Sequence, residues 1–368
     1  MKQIMHITHS GQYGIGVVID NIIKYISKEK FSCNILTLEN NNSNAWQDYS
    51  ILRDKIYNRL SKIDIIHVHG GWTLIFLIFR KKFKKPVIIA PHGVFHPVSL
   101  KKSRFKKFMA EKLYMNKAYK NATCIQASSK KDLEYIQSYG IRNIPIAIIP
   151  NGINIKEKLN FNENLRLKLL KLAKDKKIIL SLSRLEEAKG IDILIESFYE
   201  VKRKNNKSVL FIVGKGTDKY EEKILHKIKE KNLENEIFLL GSMVGDDKNT
   251  IYDVADIFIL PSFNESFPLT ILEAARQKLP IITTTATPFS EIKDLKCGWY
   301  IKAEKELITK AIIEASNLSN LSLQEMGNNS YKLVLNKYNI DIVMKMYEEL
   351  YDWLLYNNNK PDFVINNV

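Results

Sequence analysis

One stretch, residues 257–275, constrains the fold most, because it joins a strand to a helix through a polar turn. The β-branched and aromatic run Ile257–Leu260 predicts a strand that ends at Pro261. Ser266 is a suitable helix N-cap, and Pro268 suits the first helical turn, where the missing N–H of proline costs nothing. The stretch therefore predicts a strand, a turn and the mouth of a helix in direct succession.

Two carboxylates lie beside this predicted helix mouth. Glu265 falls in the turn, and Glu273 follows on the early part of the helix. The free N–H groups of Leu269, Thr270 and Ile271 attract phosphate, and carboxylates accept hydrogen bonds from sugar hydroxyls. Together these groups indicate a site for a nucleotide sugar. The alternative is a carboxylate at a helix end and an unrelated surface glutamate.

A second strand–loop–helix junction carries cations. The β-rich run at residues 177–183 leads into a loop that Arg184 and Lys189 flank, and an apolar helix follows. Two cations at a helix mouth suit a diphosphate leaving group. Ion pairing of these cations with Glu186 or Glu187 is the alternative interpretation.

Glycines follow the first predicted strand, at residues 4–8. Gly11, Gly14 and Gly16 separate this strand from an apolar helix predicted over residues 17–26. Glycines in such a position let the backbone approach a phosphate, although a plain tight turn explains them equally well.

Histidines mark the ends of two further strands, predicted within residues 64–71 and 86–93. His67 and His69 alternate with apolar residues and therefore share a face of their strand. We expect His67 to be a packed or hydrogen-bonded histidine. His69 lies nearer the carboxyl end, where α/β sheets place ligands, and His92 ends the next strand.

Three motifs resemble one family. The E-x7-E spacing of Glu265 and Glu273, the R-x4-K-G run from Arg184 and the P-N-G-I-N segment at 150–154 are similar to those of retaining glycosyltransferases of family 4. The resemblance implies an α/β GT-B fold, with two Rossmann-like domains facing across a cleft and a C-terminal helix crossing back to the first domain. The implied boundaries are 1–160 for an acceptor-binding domain, 161–338 for a donor-binding domain, and 339–368 for the returning helix and a loose tail.

The resemblance also implies roles for individual residues. Glu265 contacts the donor sugar, Glu273 holds the ribose, and Arg184 with Lys189 binds the diphosphate. The implied catalytic residues are His92, Glu265, Arg184 and Lys189, and His69 lies on the acceptor side. The implied donor contacts are Gly14, Gly16, Arg184, Lys189, Val244, Glu265, Phe267, Leu269, Thr270 and Glu273.

The resemblance implies a hexosyltransferase that retains anomeric configuration. It moves a sugar from a nucleotide-diphosphate donor to a growing, lipid-linked surface glycan such as O-antigen or capsule, with no metal and no cofactor. The alternatives are a nucleotide-sugar epimerase of the same architecture and a non-catalytic, donor-binding subunit of an assembly complex. Family members usually have glycines near Ser266 and Pro268, and this departure leaves the donor sugar open. Lys278 also stands where glycine is usual, a change that we expect to cost little.

Net charge indicates an anionic partner. The 368 residues include 56 basic and 40 acidic side chains, for a net charge of +16. Residues 101–109 interleave cations with Phe105, Phe108 and Met109 at helical spacing, which suits a helix lying on anionic lipid. A helix whose apolar stripe packs inward is an equal alternative. Nucleic acid is not expected as a partner, because no recognised binding motif accompanies the charge.

Cysteines and apolar runs indicate a cytoplasmic protein, placed at the inner face of the plasma membrane if the basic helix binds lipid. Cys33, Cys124 and Cys297 show no disulfide or metal spacing, which suits a reducing compartment. The N-terminus has no signal-peptide pattern, and the apolar run at 72–79 is too short to span a bilayer.

Three polar segments are predicted to lack regular structure. These are an Asn-rich loop at residues 39–50, a solvated turn at Asp246 and Asp247 ahead of a short helix at 249–256, and a loose tail after Tyr356.

Overall fold

The computed structural model describes residues 1–8, 13–37, 45–71, 74–101, 104–204 and 207–367. The chain forms two compact units. The first contains Met1–Gly152 together with Ile340–Val368, and the second contains Ile153–Asn339. The last long helix of the chain therefore belongs to the first unit.

Strands and helices alternate through the described residues of both units. The strands are β1 (Lys2–Thr8), β2 (Phe31–Thr37), β3 (Ile65–His69), β4 (Val87–Ala90), β5 (Cys124–Ala127), β6 (Ile146–Ile148), β7 (Lys177–Leu182), β8 (Ser208–Val213), β9 (Ile237–Leu239), β10 (Ile257–Leu260), β11 (Ile281–Thr284), β12 (Gly298–Ile301) and β13 (Val364–Ile365).

The α-helices are α1 (Tyr13–Tyr25), α2 (Ala45–Arg59), α3 (Pro97–Lys101), α4 (Arg104–Ala110), α5 (Asn116–Lys120), α6 (Lys130–Ser138), α7 (Glu163–Ala173), α8 (Ile191–Arg203), α9 (Asp218–Glu230), α10 (Gly245–Asp253), α11 (Leu269–Arg276), α12 (Glu291–Asp294), α13 (Lys305–Asn317), α14 (Asn320–Leu333) and α15 (Ile340–Tyr356). Short 3₁₀ turns occur at Leu60–Lys62, Leu74–Arg80 and Glu187–Lys189, and π-helical turns occur at Glu111–Met115 and Val334–Tyr338.

Each unit is built on one twisted sheet. The first sheet has the order β13-β6-β5-β4-β3-β1-β2, and the second has the order β12-β11-β10-β7-β8-β9. All neighbouring strands are parallel except for β13, which runs antiparallel to β6. These sheets confirm the predicted pair of Rossmann-like α/β domains. The strand order reverses between β1 and β3 and between β7 and β10, which are the switch points where such sheets bind ligands.

The second sheet is apolar on both faces. Successive residues of β7 point to opposite sides, so that Leu180 packs in one buried cluster and Ile179 in the other. Every residue of β8 is buried. Because helices cover both faces, these strands appear in the sequence as continuous β-branched and aromatic runs.

The first sheet is different, because a large apolar cluster covers only one of its faces. Met5, Ile7, Ile66 and Val68 belong to the cluster on that face. Residues that alternate with them point to the opposite side, where Tyr347 and Tyr351 of α15 pack against the sheet. The buried polar residues on this second side include His6, Thr8, His67, His69 and Gln126.

Three predicted loops are wrong in detail. Helix α1 begins at Tyr13, so Gly14 and Gly16 lie in its first turn rather than in a loop, and Gly11 lies outside the described residues. Residues 39–44 of the segment predicted as a loop lie outside the described residues, and residues 45–50 belong to helix α2. Helix α10 begins at Gly245, so Asp246 and Asp247 occupy its first turn, where carboxylates are stabilised by the helix dipole.

The tail after Tyr356 is not loose. Val364 and Ile365 form β13 on the edge of the first sheet, and Val364 is buried. Asn367 is also buried, and its side chain binds the Ile141 carbonyl at 2.6 Å and the Gln137 side chain at 3.1 Å. The prediction failed because the tail is polar, and these buried polar groups are satisfied by pairing that the local sequence does not reveal.

We predict that Asn367→Ala lowers the free energy of unfolding by about 1–3 kcal/mol, because it leaves buried polar partners without hydrogen bonds. The neighbouring Asn366 is exposed and is the matched control. Asn366→Ala should change stability by less than about 0.5 kcal/mol. Urea denaturation of the two variants measures both values, and equal effects would contradict the role of β13 described above.

Candidate functional site

The switch point of the second sheet brings two loops together. The loop after β7 and the loop after β10 are joined by a hydrogen bond from the Phe263 N–H to the Ala188 carbonyl, at 2.8 Å. Gly190 has φ +71°, and a Cβ there would lie 2.2 Å from the Pro261 carbonyl oxygen. Glycine is therefore required at this position for both its backbone conformation and its small size.

Lys189 and Glu265 meet where these loops join. The Lys189 Nζ lies 2.7 Å from Glu265 Oε1, and the Ser262 hydroxyl donates to the same oxygen at 2.8 Å. The side chains are 13% and 8% exposed. Glu265 Oε2 accepts no hydrogen bond from the described residues. Lys189 thus pairs with Glu265, and not with Glu186 or Glu187.

Arg184 is placed differently from Lys189. Its side chain is 60% exposed and forms an ion pair with Glu186 at 2.9 Å. The alternative of local ion pairing is therefore what the structure shows for Arg184. At this exposure the pair contributes little to stability, which leaves the guanidinium available to an anion.

Helix α11 begins later than the sequence predicts. Pro268 occupies the N-cap position with an extended backbone, and Ser266 is not the cap. The residue before a proline is pushed away from helical conformation, so the helix cannot include Phe267. The Ile271 N–H bonds to the Pro268 carbonyl at 3.3 Å, so of the three N–H groups expected at the helix mouth only Leu269 and Thr270 remain.

Hydrophobic contacts hold the loop that precedes α11. After the helix, the backbone adopts a left-handed conformation. Phe267 is buried and packs edge-on against Phe289 and Tyr338, so its side chain anchors the loop. Lys278, where the resemblance implies a glycine, adopts φ 58° just beyond the helix. Glycine is the residue that takes this left-handed conformation without strain.

Glu273 is held by α10. Its Oε1 lies 2.6 Å from Lys248 Nζ, and the Tyr252 hydroxyl donates to its Oε2 at 3.0 Å. Val244, the N-cap residue of α10, is 79% exposed. Helix α10 therefore links the two predicted donor contacts, because Val244 caps this helix and its side chains bind Glu273.

In the first unit, a row of histidines leads to His92. The His6 Nδ1 lies 2.9 Å from the His69 Nε2, and the His69 Nδ1 lies 3.0 Å from the His92 Nε2. His67 bonds instead to the Tyr351 hydroxyl at 3.0 Å, as expected for a packed histidine. His6, His67 and His69 are fully buried, whereas His92 is partly exposed.

Burial lowers the pKa of each histidine in this row and of the neighbouring His67. Desolvation lowers the pKa of His6 to about 3 and that of His92 to about 4, from an ordinary value of 6.5. The pKa values of His67 and His69 are well below the ordinary value, first through desolvation and then through repulsion between neighbouring rings. All four side chains are therefore neutral at pH 7.

Sequence reasoning missed four contributors to these sites. Ser262 reaches Glu265 across a turn of three residues, whereas His6 reaches His69 only because β1 pairs with β3. Lys248 and Tyr252 lie four residues apart on α10 and thus share a face, which was a usable signal.

Comparison with solved structures identifies the fold of this chain. Sucrose-phosphate synthase of Thermosynechococcus elongatus aligns with a TM-score of 0.81 at 16% identity, covering 97% of this chain and 100% of that chain. HepE of Anabaena in complex with UDP-glucose aligns with a TM-score of 0.76 at 17% identity, covering 95% and 99%. The fold is that of the GT-B glycosyltransferases.

Sequence comparison then identifies the family. Residues 165–333 match the model of glycosyl transferases group 1, and residues 32–157 match the model of glycosyltransferase family 4. Because these matches together reach across both units, the chain belongs to glycosyltransferase family 4.

Two relatives extend over most of the chain. Alpha-monoglucosyldiacylglycerol synthase of Acholeplasma laidlawii is 28% identical over 320 residues, which are 82% of this chain and 78% of that protein. The O-antigen biosynthesis glycosyltransferase WclY of Escherichia coli is 24% identical over 335 residues, which are 88% and 91%. Relatives of this chain thus include enzymes named for glycolipid and for O-antigen synthesis.

We predict that the free energy of unfolding falls as the pH drops from 6.5 towards 4. The reason is that the histidines bind protons in the unfolded chain, whereas the buried histidines of the folded protein stay neutral. Each such histidine contributes about 1.4 kcal/mol per pH unit in this window. His6→Asn removes one of them, so the stability of this variant should depend less steeply on pH. Urea unfolding of the parent and of His6→Asn between pH 7 and 5 measures how steeply each free energy of unfolding depends on pH. The difference between the two slopes reports His6 alone, because all other titratable groups are the same in both proteins. Identical slopes would contradict a neutral, buried His6.

Proposed function

We propose that this enzyme is a retaining hexosyltransferase that moves a sugar from a nucleotide-diphosphate sugar to a growing, lipid-linked surface glycan. The family supports sugar transfer. The relatives named for glycolipid and O-antigen synthesis support a lipid-linked acceptor. The UDP-glucose complex of HepE supports a nucleotide-sugar donor.

The contact between Lys189 and Glu265 is the observation that carries the proposal. A lysine ammonium has three N–H donors, and only one is needed for Glu265, which leaves others for phosphate oxygens. Glu265 accepts both of its hydrogen bonds at Oε1, which leaves Oε2 for a sugar hydroxyl. One ion pair therefore offers groups to both halves of a nucleotide sugar.

Charge stabilisation follows from the same arrangement. When the bond from the anomeric carbon to the diphosphate breaks, negative charge develops on the leaving oxygen. Lys189, Arg184 and the first turn of α11 stabilise that charge, so side-chain cations take the part that a metal ion plays elsewhere. The acceptor oxygen bonds to the same face of the sugar and gives its proton to the leaving phosphate, which retains the configuration.

The two units take different parts in this proposal. The second unit binds the donor, with Glu273 accepting hydrogen bonds from the ribose and the loop ending at Val244 holding the base. The first unit binds the acceptor, with His92 near the transferred sugar. His69, which the resemblance puts on the acceptor side, is only 2% exposed and reaches that side only through its hydrogen bond to His92. Gly14 and Gly16 offer N–H groups of the first turn of α1 to the diphosphate.

We predict that Glu273→Gln and Glu265→Gln affect different ligands. Loss of the Glu273 carboxylate should weaken binding of both the free nucleoside diphosphate and the complete donor, by roughly 1.5–3 kcal/mol. Loss of the Glu265 carboxylate should spare the free nucleoside diphosphate and depress transfer, because its partner is the sugar. Calorimetry with UDP, GDP and their hexose derivatives, followed by transfer assays and NMR of the product anomer, measures these effects.

The two glutamines are matched controls for each other, since each variant has the same change in size and charge. If both weaken the free nucleotide equally, or if neither changes anything, the assignment of the two carboxylates is wrong. An inverted product anomer would refute retention. Isomerisation of the donor with no acceptor present would favour an epimerase, and binding without transfer would favour a non-catalytic subunit.

We also propose that α4 and the turn after it place the enzyme on the inner face of an anionic membrane. Phe105 is 76% exposed, Phe108 47% and Leu113 54%, so this apolar stripe does not pack inward. The Lys112 ammonium lies 4.6 Å from the centre of the Phe108 ring. Within the same segment, Lys102 and Ser103 lie outside the described residues. In the described residues, no helix combines the length and apolarity needed to cross a bilayer.

We predict that replacing both Phe105 and Phe108 by serine weakens binding to phosphatidylglycerol vesicles at least about a hundredfold, since each phenyl group loses about 1.5–3 kcal/mol of burial. Leu321→Ser is the matched control, because Leu321 is 78% exposed and lies in the second unit. Vesicle sedimentation measures binding, which added salt should reduce. No sedimentation of the parent enzyme, or equal sedimentation of all variants, would contradict the membrane surface.

A further inference from the structure

The histidine row is the feature of the first unit that the proposed transfer reaction does not explain. His6 and His69 share one hydrogen bond and His69 and His92 share the next, at 2.9 and 3.0 Å. His6 and His69 are too deeply buried to touch a substrate, since they are 0% and 2% exposed. Their effect on a reaction can come only through His92.

Counting protons leaves two arrangements. A neutral imidazole has one N–H and one bare nitrogen, so His69 donates on one side and accepts on the other. Either both protons point towards His92, or both point towards His6. In the first arrangement, His92 accepts at Nε2 and carries its own proton on Nδ1. In the second, His92 donates from Nε2, and His6 carries its proton on Nε2.

The inner end of the row decides between them. His6 Nε2 is buried and has no hydrogen-bond partner in the described residues. In the second arrangement this atom would be a buried N–H without an acceptor, which proteins rarely tolerate. In the first arrangement it is a bare nitrogen, which needs no acceptor. The first arrangement is therefore favoured.

We propose that His6 and His69 are positioning residues that hold His92 in the tautomer protonated on Nδ1, so that it donates a hydrogen bond to an oxygen of the bound donor. The inference rests on the proposed function, which places His92 beside the sugar. His92 is partly exposed, and its Nδ1 makes no hydrogen bond within the described residues, as a group reserved for a ligand would.

Two other uses of the row are disfavoured. The row ends at an unpartnered nitrogen, so it holds a proton in place and does not conduct one. One nitrogen from each of His6, His67 and His69 lies within 4.8 Å of the others, which is close enough for a metal ion. However, the His6 Nδ1 and His69 Nε2 already bind each other, and no carboxylate in this group offsets the charge of an ion.

Nitrogen-15 NMR of the histidine rings in the full-length enzyme tests the inference. In the parent, His92 should show a protonated Nδ1 and a bare Nε2. His6→Leu removes the donor at the start of the row, so both tautomers of His92 should appear. His6→Asn keeps an N–H donor at that place and should restore the single tautomer. His67→Leu is the matched control, because His67 is equally buried but bonds to Tyr351 instead.

Kinetics supply the second measurement. In His6→Leu we expect kcat to fall at least about twofold, with unchanged affinity for the free nucleoside diphosphate, because only the molecules with His92 protonated on Nδ1 donate a hydrogen bond to the sugar. His6→Asn should recover most of this loss, and His67→Leu should retain the parent kcat.

Several outcomes would overturn the inference. A proton on Nε2 of His92 in the parent, an unaltered tautomer in His6→Leu, or one equivalent of bound transition metal would each do so. Equal loss of kcat in His6→Leu and His67→Leu would show a purely structural role. If no donor supports transfer, the proposed function fails, yet the NMR result still reports the tautomer.

Discussion

The buried contact between Lys189 and Glu265 is the interaction on which the second unit depends most. An ion pair removed from water loses hydration that its mutual attraction hardly replaces, so it persists only where the surrounding structure fixes it. Here the backbone bond between the two loops and the requirement for glycine at Gly190 provide that support. The strand order of the sheet, which reverses at this point, brings the two loops together in the first place.

The two sheets solve the same packing problem in different ways. The second buries apolar side chains on both faces, which gives its strands little freedom to carry chemistry except at their carboxyl ends. On one face of the first sheet, imidazole and tyrosine side chains take the place of apolar ones. Each donor in this layer must meet an acceptor. The arrangement of this layer is restricted, because each buried polar group without a hydrogen-bond partner lowers the stability of the folded protein.

Much of the fold was predictable because its strands are continuous apolar runs that end in glycine, proline or histidine. The two glutamates and the R-x4-K-G run were likewise predictable, because each motif is defined by the spacing of its residues along the chain. The pairing of Lys189 with Glu265 was not, because it joins residues 76 positions apart whose meeting depends on strand order. The position of Pro268 and the strand formed by the tail were missed for related reasons. Local propensity does not reveal how a proline shifts a helix start, or which sheet edge a polar segment will complete.

The return of residues 340–367 to the first unit has a consequence for the order of folding. Synthesis delivers the whole of the second unit before α15 and β13 emerge, so the second sheet can be complete while the first still lacks an edge strand and a covering helix. Multidomain chains commonly fold from the N-terminus onwards as they are made. In this chain the first unit can be completed only after the second has been synthesised, and His67 lacks its hydrogen-bond partner until Tyr351 has left the ribosome.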